Sequence, residues 1–122
     1  MILVDTSVWV DHFRSGAPRL VSALEDSTVL MHPLILGEIA CGNVANRKEV
    51  LTLLGNLPLA PVAADTEALA FIESHALMGR GIGYIDVHLL ASVALAADAQ
   101  IWTRDRRLSV VASELKLAYA ER

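Results

Sequence analysis

Two acidic residues lie just past apolar segments that have the pattern of buried strands. Asp5 directly follows the run Ile2 to Val4, and Asp105 comes three positions after Trp102, which ends the apolar pair Ile101 and Trp102. A short uninterrupted apolar run is typical of a strand covered on both faces of a parallel sheet. Ligands of open parallel sheets bind beyond the carboxyl ends of the strands. Both acids are therefore candidates for a functional site, although either would also be an ordinary turn or cap residue.

Two further acids fall within apolar helical patterns. Glu38 lies beside the stripe formed by Ile35 and Ile39, which places it facing inward or at a rim. Asp86 shares one helical face with apolar residues as far as Val93. Burying an unpaired carboxylate costs several kcal/mol unless it meets a cation, a hydrogen-bond network or a raised pKa. The alternative for Asp86 is a favourable interaction with the dipole of its own helix.

These four acids would give an all-oxygen donor set if they converged, and they are called the carboxylate quartet below: Asp5, Glu38, Asp86 and Asp105. No Lys or Arg is spaced to neutralise all four charges, so a divalent cation is the natural counter-charge. Oxygen ligands favour Mg2+ or Mn2+ over zinc. The histidines show no paired metal-ligand spacing and are expected to be ordinary surface or core residues: His12, His32, His75 and His88.

The segments that would position the quartet alternate between strands and helices. Apolar runs predict strands at 2–4, 28–31, 100–103 and 116–119, and helical patterns predict helices at about 6–14, from 18, 33–41, 47–54, 65–78, 84–97 and within 105–113. We expect Thr6 or Ser7 to cap the first helix and Asp65 or Thr66 to cap the helix that reaches Met78. Three glycines at 79, 81 and 83 predict a loop. This alternation implies an α/β sandwich around a parallel sheet.

Composition limits the classes of protein that fit. A length of 122 residues without a long linker predicts a single domain, 1–122. A net charge of −4 argues against nonspecific coating of nucleic acid, although Arg104, Arg106 and Arg107 form a basic stretch that either contacts phosphates locally or is a solvated turn. No apolar run reaches the roughly 18 residues of a membrane helix, so a cytoplasmic protein is expected. Hydrophobic residues make up 54%, which suggests a buried interface with a partner. The one cysteine, Cys41, is expected to pack as a small hydrophobe.

Four segments in order along the chain resemble the motifs of PIN-domain ribonucleases, most closely the VapC-type toxins of bacterial and archaeal toxin–antitoxin operons. They are Ile-Leu-Val-Asp-Thr-Ser-Val-Trp at the start, Leu-Gly-Glu-Ile in the middle, Tyr-Ile-Asp-Val-His-Leu-Leu-Ala later, and Trp-Thr-Arg-Asp-Arg-Arg-Leu near the end. The family's acidic residues fall on the same carboxylate quartet. Thr103 lies within the last motif, and Thr6 or Ser7 is expected to support Asp5.

The resemblance implies a PIN-like three-layer sandwich with a central, mainly parallel sheet. It also implies an endoribonuclease that depends on Mg2+ or Mn2+, cuts structured RNA, forms a homodimer and is inhibited by a VapB-type antitoxin. One or two ions held by the quartet would activate water for in-line attack, and Arg104, Arg106 or Arg107 would contact RNA phosphates. Whether Asp105 binds metal directly or acts from outside the ligand sphere stays open.

Other classes fit less well. A stand-alone PIN nuclease in RNA processing would share every residue of the quartet. A haloacid-dehalogenase-like phosphatase would want a second Asp two residues after Asp5, where Ser7 stands, and a receiver domain would want an Asp near mid-chain, where 47–59 contains only Glu49. In a catalytically silent binding module the four acids would be incidental.

Overall fold

Three short parallel strands form the centre of the protein. In this computed structural model, which describes residues 1–121, β1 (Ile2–Val4) lies between β2 (Val29–Leu30) and β3 (Gln100–Trp102). Leu3 and Val4 are fully buried. The apolar run after Met1 therefore forms a strand covered on both faces, as the sequence predicts.

Isolated bridges extend the sheet beyond both outer strands. One pairs Met31, just after β2, with Leu59, and the other pairs β3 with Ala118. The strand predicted over 116–119 is thus wrong in extent and is reduced to this single bridge. Its first residue, Lys116, has a φ of 60°, in the left-handed region that a strand cannot use.

Helices surround the sheet. The described residues form α1 (Thr6–Ser15), α2 (Pro18–Glu25), α3 (Pro33–Cys41), α4 (Arg47–Gly55), α5 (Asp65–His75), α6 (Tyr84–Leu95) and α7 (Arg106–Glu114). Helix α1 packs against α3, α3 against α4, and α5 against α6, which also contacts β3. The predicted α/β class is confirmed. Within residues 1–121, no helix has the length and apolar character needed to cross a membrane.

The start of α1 differs from the sequence prediction. Asp5 occupies the N-cap position and makes no side-chain capping bond, while Thr6 and Ser7 lie within the first turn. The prediction that Thr6 or Ser7 caps this helix is wrong because their hydroxyls bond to carboxylates of the quartet instead.

Helix α5 is also shorter than predicted. It begins at Asp65 after the N-cap residue Ala64, whose N–H donates to the Glu67 carboxylate at 2.8 Å, so neither Asp65 nor Thr66 is the cap. It ends at His75 because Ala76 takes a φ of 50°.

Buried and exposed side chains mostly follow the sequence pattern. Trp9 and Trp102 are each 1% exposed and belong to the core, as predicted. Cys41 is exposed, so the prediction that it packs as a small hydrophobe is wrong. It ends α3 next to the exposed Gly42 and Asn43, where no core is within its reach.

Candidate active site

The carboxyl ends of β1 and β3 lie side by side. Val4 pairs with Trp102 in register, and the Asp5 N–H donates to the Trp102 carbonyl oxygen at 2.8 Å. Asp5 is only 6% exposed. Its Oδ2 accepts hydrogen bonds from Ser7 Oγ at 2.7 Å and from Thr103 Oγ1 at 2.8 Å. Hydroxyls from the first turn of α1 and from the end of β3 therefore fix the orientation of this carboxylate.

The turn after β3 is anchored to the same hydroxyls. The Arg104 N–H donates to Ser7 Oγ at 2.9 Å, and the Asp105 N–H donates to Thr103 Oγ1 at 3.0 Å. Asp105 is the N-cap of α7, where its Oδ1 accepts from the Leu108 N–H at 2.9 Å. This exposed acid is thereby held at the same edge of the sheet as Asp5.

Glu38 reaches the site from α3 and is exposed, so it lies at the rim, one of the two positions the sequence predicts. Its Oε1 accepts a hydrogen bond from Thr6 Oγ1 at 2.8 Å, which links α3 to the first turn of α1. Thr6 therefore contacts Glu38, whereas Ser7 contacts Asp5.

Asp86 lies half-buried in the first turn of α6, and its Oδ2 accepts from the Gly83 N–H at 3.1 Å. Asp86 therefore also interacts with the N-terminus of its own helix, which was the alternative role considered from the sequence. The pKa of Asp86 is nevertheless raised, mainly by burial, against the lowering effect of the Gly83 hydrogen bond. The charges of Asp5, Asp105 and Glu38 raise this pKa further. The other three acids of the quartet therefore all lie close enough to act on Asp86.

The quartet has no cationic side chain to balance it in the part of the chain described. The ion pairs formed there use other acids: Asp11, Asp65, Glu114 and Glu121. Within residues 1–121, each quartet carboxylate accepts hydrogen bonds through only one of its two oxygens. In the arrangement described for residues 1–121, no three His, Cys, Asp or Glu side chains are grouped closely enough to hold a metal ion together. The donor set, carboxylate oxygens with uncompensated charge, nonetheless fits a hard divalent cation.

Comparison with known proteins identifies the family. The family model described as PIN domain matches residues 2–114, a span that contains the whole quartet. The chain belongs to the PIN-domain family. It is also similar to Ribonuclease VapC32 of Mycobacterium tuberculosis, from strains CDC 1551 / Oshkosh and ATCC 25618 / H37Rv. Each is 46% identical over 121 residues, which cover 99% of this chain and 98% of the relative. The predicted resemblance to VapC-type PIN ribonucleases is confirmed.

The three arginines predicted to contact phosphate differ in this PIN domain. The guanidinium of Arg104 donates to the carboxylates of Asp11 and Glu121. Arg106 and Arg107 are exposed and form no ion pair within residues 1–121. The Arg107 side chain passes close to Gly81, where an added Cβ would lie 2.8 Å from its Cδ. Arg106 and Arg107 are therefore the more accessible cations beside Asp105.

A second polar cluster joins α5 to α6 and was missed by the sequence analysis. Asp65 Oδ1 accepts from the Tyr84 hydroxyl at 2.6 Å and lies 2.9 Å from His88 Nε2. These contacts, the Tyr84 bond first, lower the pKa of Asp65, and Asp65 in turn raises the pKa of Tyr84. The spacing of four residues between Tyr84 and His88 on one helix was the available signal. The cluster fixes the first turns of α6, where Asp86 lies.

An apolar groove opens next to the quartet. Its volume is about 380 Å3, and its walls come from α1, α3, α4 and the loop between α3 and α4. Val10, Phe13 and Ile39 contribute apolar surface, and Glu38 lines one side. The groove therefore borders the quartet at Glu38.

Proposed function

We propose that this PIN domain is a metal-dependent endoribonuclease and the toxin component of a VapBC-type toxin–antitoxin pair. The observation that carries the proposal is that the charges of three other carboxylates, Asp5, Asp105 and Glu38, all raise the pKa of the half-buried Asp86. The 46% identity to proteins named Ribonuclease VapC32, over nearly the whole length of both chains, supports the reaction class and the toxin assignment.

In this proposal the carboxylate quartet holds Mg2+ or Mn2+. When bound, the cation would supply Lewis-acid chemistry, activating water and offsetting charge on the scissile phosphate. Asp5 is the best-fixed ligand because two hydroxyls orient one of its oxygens and leave the other available. Asp86 and Glu38 complete the site, and Asp105 acts either as a ligand or on the water around it.

The remaining side chains orient these acids or the substrate. Ser7 and Thr103 restrict Asp5 to one orientation, and Thr6 does the same for Glu38. Arg106 and Arg107 would contact the RNA backbone next to Asp105 and supply local positive charge in a chain of net charge −4.

Cleavage of structured RNA in matched Mg2+, Mn2+ and EDTA tests the proposal. We expect Asp5→Asn and Asp86→Asn to remove activity, because each removes a ligand charge at nearly constant volume. Asp26→Asn is the matched control, since it makes the same change at an exposed acid that ends α2. RNA cleavage by both quartet variants at the wild-type rate would show that the assigned site is wrong.

The partner proposed for the apolar groove is an amphipathic segment of a VapB-type antitoxin. A groove of this kind accepts an amphipathic helix through its apolar face. Because Glu38 lines the groove, an occupant there would also cover part of the active site. We expect the product of a neighbouring gene to bind the wild-type protein. Val44→Glu, within the groove, should weaken that binding. Absence of any such partner would favour a stand-alone PIN nuclease in RNA processing.

A homodimer and a cytoplasmic location complete the proposal. Apolar side chains cluster at a second concave surface near the start of α6, where Val62, Tyr84 and Ile85 are 53%, 45% and 36% exposed. An exposed apolar cluster of this kind is typical of an interface with another chain. This surface is therefore the proposed contact between two copies.

A further inference from the structure

We propose that Glu121 is a positioning residue for the carboxylate quartet: by gripping Arg104 it fixes the turn after β3 that carries Asp105 and anchors Asp5. This inference rests on the proposed function. Glu121 lies beyond the span matched by the PIN family, which ends at residue 114, so the motifs assign it no role.

The carboxylate of Glu121 gathers three donors on one oxygen. Its Oε1 accepts from Trp102 Nε1 at 2.8 Å and from Arg104 through Nε at 3.1 Å and Nη2 at 2.8 Å. Trp102 is 1% exposed, and a buried indole N–H ordinarily has an acceptor. Glu121 thus satisfies a core residue of β3 and a guanidinium of the active-site turn together.

Arg104 extends the contact to α1. Its Nη1 donates to Asp11 Oδ2 at 3.0 Å, and its guanidinium carbon lies 5.9 Å from the centre of the Trp102 ring. A planar guanidinium suits this arrangement because its donors point in fixed directions toward two carboxylates. The side chain of Arg104 therefore ties α1, β3 and the segment after α7 together.

The main chain of the same residue reaches the quartet. The Arg104 N–H donates to Ser7 Oγ, and Ser7 donates to Asp5 Oδ2. The next N–H, of Asp105, donates to Thr103 Oγ1, which donates to the same Asp5 oxygen. Displacement of Arg104 would disturb both hydrogen-bond chains to Asp5 and would move Asp105.

The segment that carries Glu121 is itself held against β3. The Tyr119 N–H donates to the Ile101 carbonyl oxygen at 2.8 Å, and the Tyr119 ring meets Trp102 edge-on at 5.2 Å. These contacts hold the backbone near Glu121 without involving its carboxylate. Removing that carboxylate should therefore loosen the turn and leave the fold intact.

Glu121→Ala tests the proposal against Glu114→Ala, which removes a different Arg–Glu ion pair, formed with Arg80 at 2.7 Å. Amide hydrogen exchange, followed by NMR in metal-free protein, reports on the N–H groups of Arg104 and Asp105. We expect their exchange to accelerate by about three- to tenfold in Glu121→Ala, the scale of losing one partly exposed charged hydrogen bond. Glu114→Ala should leave both rates unchanged.

The second readout is the Mn2+ concentration that raises the melting temperature by one fixed increment, the same for every variant. We expect it to increase by about three- to tenfold in Glu121→Ala and less in Glu121→Gln, which keeps an acceptor oxygen but loses the charge. Arg104→Lys should behave like Glu121→Ala, because it keeps the charge and loses the planar fork. If Glu121→Ala does not fold, Arg104→Lys and Glu121→Gln carry the test.

The outcomes separate the two claims. If Glu121→Ala matches Glu114→Ala in amide exchange or in Mn2+ response, the positioning role is overturned. The proposed function still stands in that case as long as the wild-type protein cleaves RNA. A wild-type protein that neither cleaves RNA nor responds to Mn2+ overturns the proposed function and the positioning role with it.

Discussion

The pKa of Asp86 reflects both the burial of this residue and the charges of its neighbours in the site. Asp86 is half-buried at the start of α6, and burial together with three neighbouring carboxylates raises its pKa. A raised carboxyl pKa means that ionising the group costs more free energy in the folded protein than in the unfolded chain. Without a cation, the charged form of Asp86 therefore destabilises the fold.

We predict that in EDTA the contribution of Asp86 to the free energy of unfolding falls as pH rises above 3.8, the ordinary pKa of Asp. From there to the raised pKa, the folded state binds more protons than the unfolded state, so stability declines with pH. Asp86→Asn should remove this part of the decline. Urea denaturation at a series of pH values measures it, and identical pH slopes for the two proteins would contradict the prediction.

Bound metal should offset the destabilisation that the charged Asp86 causes. Binding only to the folded state adds about 2.7 kcal/mol at a hundredfold excess over Kd. Millimolar Mn2+ should accordingly raise the melting temperature of the wild type and not that of Asp86→Asn. An unchanged melting temperature between EDTA and Mn2+ would contradict the convergence of the quartet on a cation.

Among the elements, α3 carries Glu38 and depends on a histidine cap. His32 is 1% exposed; its Nδ1 accepts from the Leu34 N–H at 3.0 Å, and its Nε2 lies 3.2 Å from Ser92 Oγ. Since Nδ1 is an acceptor, Nε2 carries the proton in the neutral ring. Burial, and then the charge of His88, lower the pKa of His32.

We predict that acidification below pH 6.5 destabilises the protein through His32. From 6.5 down to the lowered folded-state pKa, the unfolded chain binds a proton that the folded one does not, so stability falls as pH falls. Protonated Nδ1 also cannot accept the Leu34 N–H. Denaturant unfolding at pH 7.5 and 5.5, on the order of one unit either side of 6.5, compares the wild type with His32→Asn, which offers a cap acceptor and does not titrate. An equal loss in both would contradict the role of His32.

The same substitution at two glycines should have opposite effects. Gly37 lies within α3 with open space around an added Cβ, so Gly37→Ala should stabilise by up to about 1 kcal/mol. Gly81 has a φ of 82° and would place its Cβ 2.8 Å from Arg107 Cδ, so Gly81→Ala should destabilise by about 1 kcal/mol or more. Thermal unfolding measures both, and a shift of the same sign would contradict the backbone argument.

At the scale of the whole molecule, the surplus of apolar residues is only partly absorbed by the fold. Of the leucines concentrated around α4, Leu54 is buried, Leu51 and Leu57 pack partly against the core, and Leu53 is 61% exposed. Exposed apolar side chains also surround the groove near Glu38 and the surface around Val62. These surfaces are the ones available to partners.

We predict that the purified chain is a dimer and that Val62→Glu shifts it toward the monomer. A charge placed in an apolar interface must be desolvated, which disfavours association. Leu95→Glu is the matched control, because Leu95 is similarly exposed, at 51%, but ends α6 away from that surface. Light scattering at micromolar concentration gives the mass, and a monomeric wild type would contradict the prediction.

Much of the fold and the choice of site residues could be predicted from the sequence because both depend on local pattern. The run 2–4 could only be a buried strand, Pro33 and Gly42 delimit α3, and the misplaced acids stand out against their apolar neighbours. The failure at the start of α1 occurred because tertiary contacts overrule local preference. Thr6 and Ser7 are good capping residues, yet nearby carboxylates take their hydroxyls.

The sequence by itself determined the α/β class and selected the four acids, with the all-oxygen chemistry they imply, as the candidate site. Only the tertiary structure decided that Thr6 donates a hydrogen bond to Glu38, that Glu121 binds Arg104, and that a groove borders the quartet at Glu38. The physical reason is separation along the chain. Residue type and periodicity govern burial and local structure, whereas Arg104 and Asp11, 93 residues apart, meet only when the strands have paired.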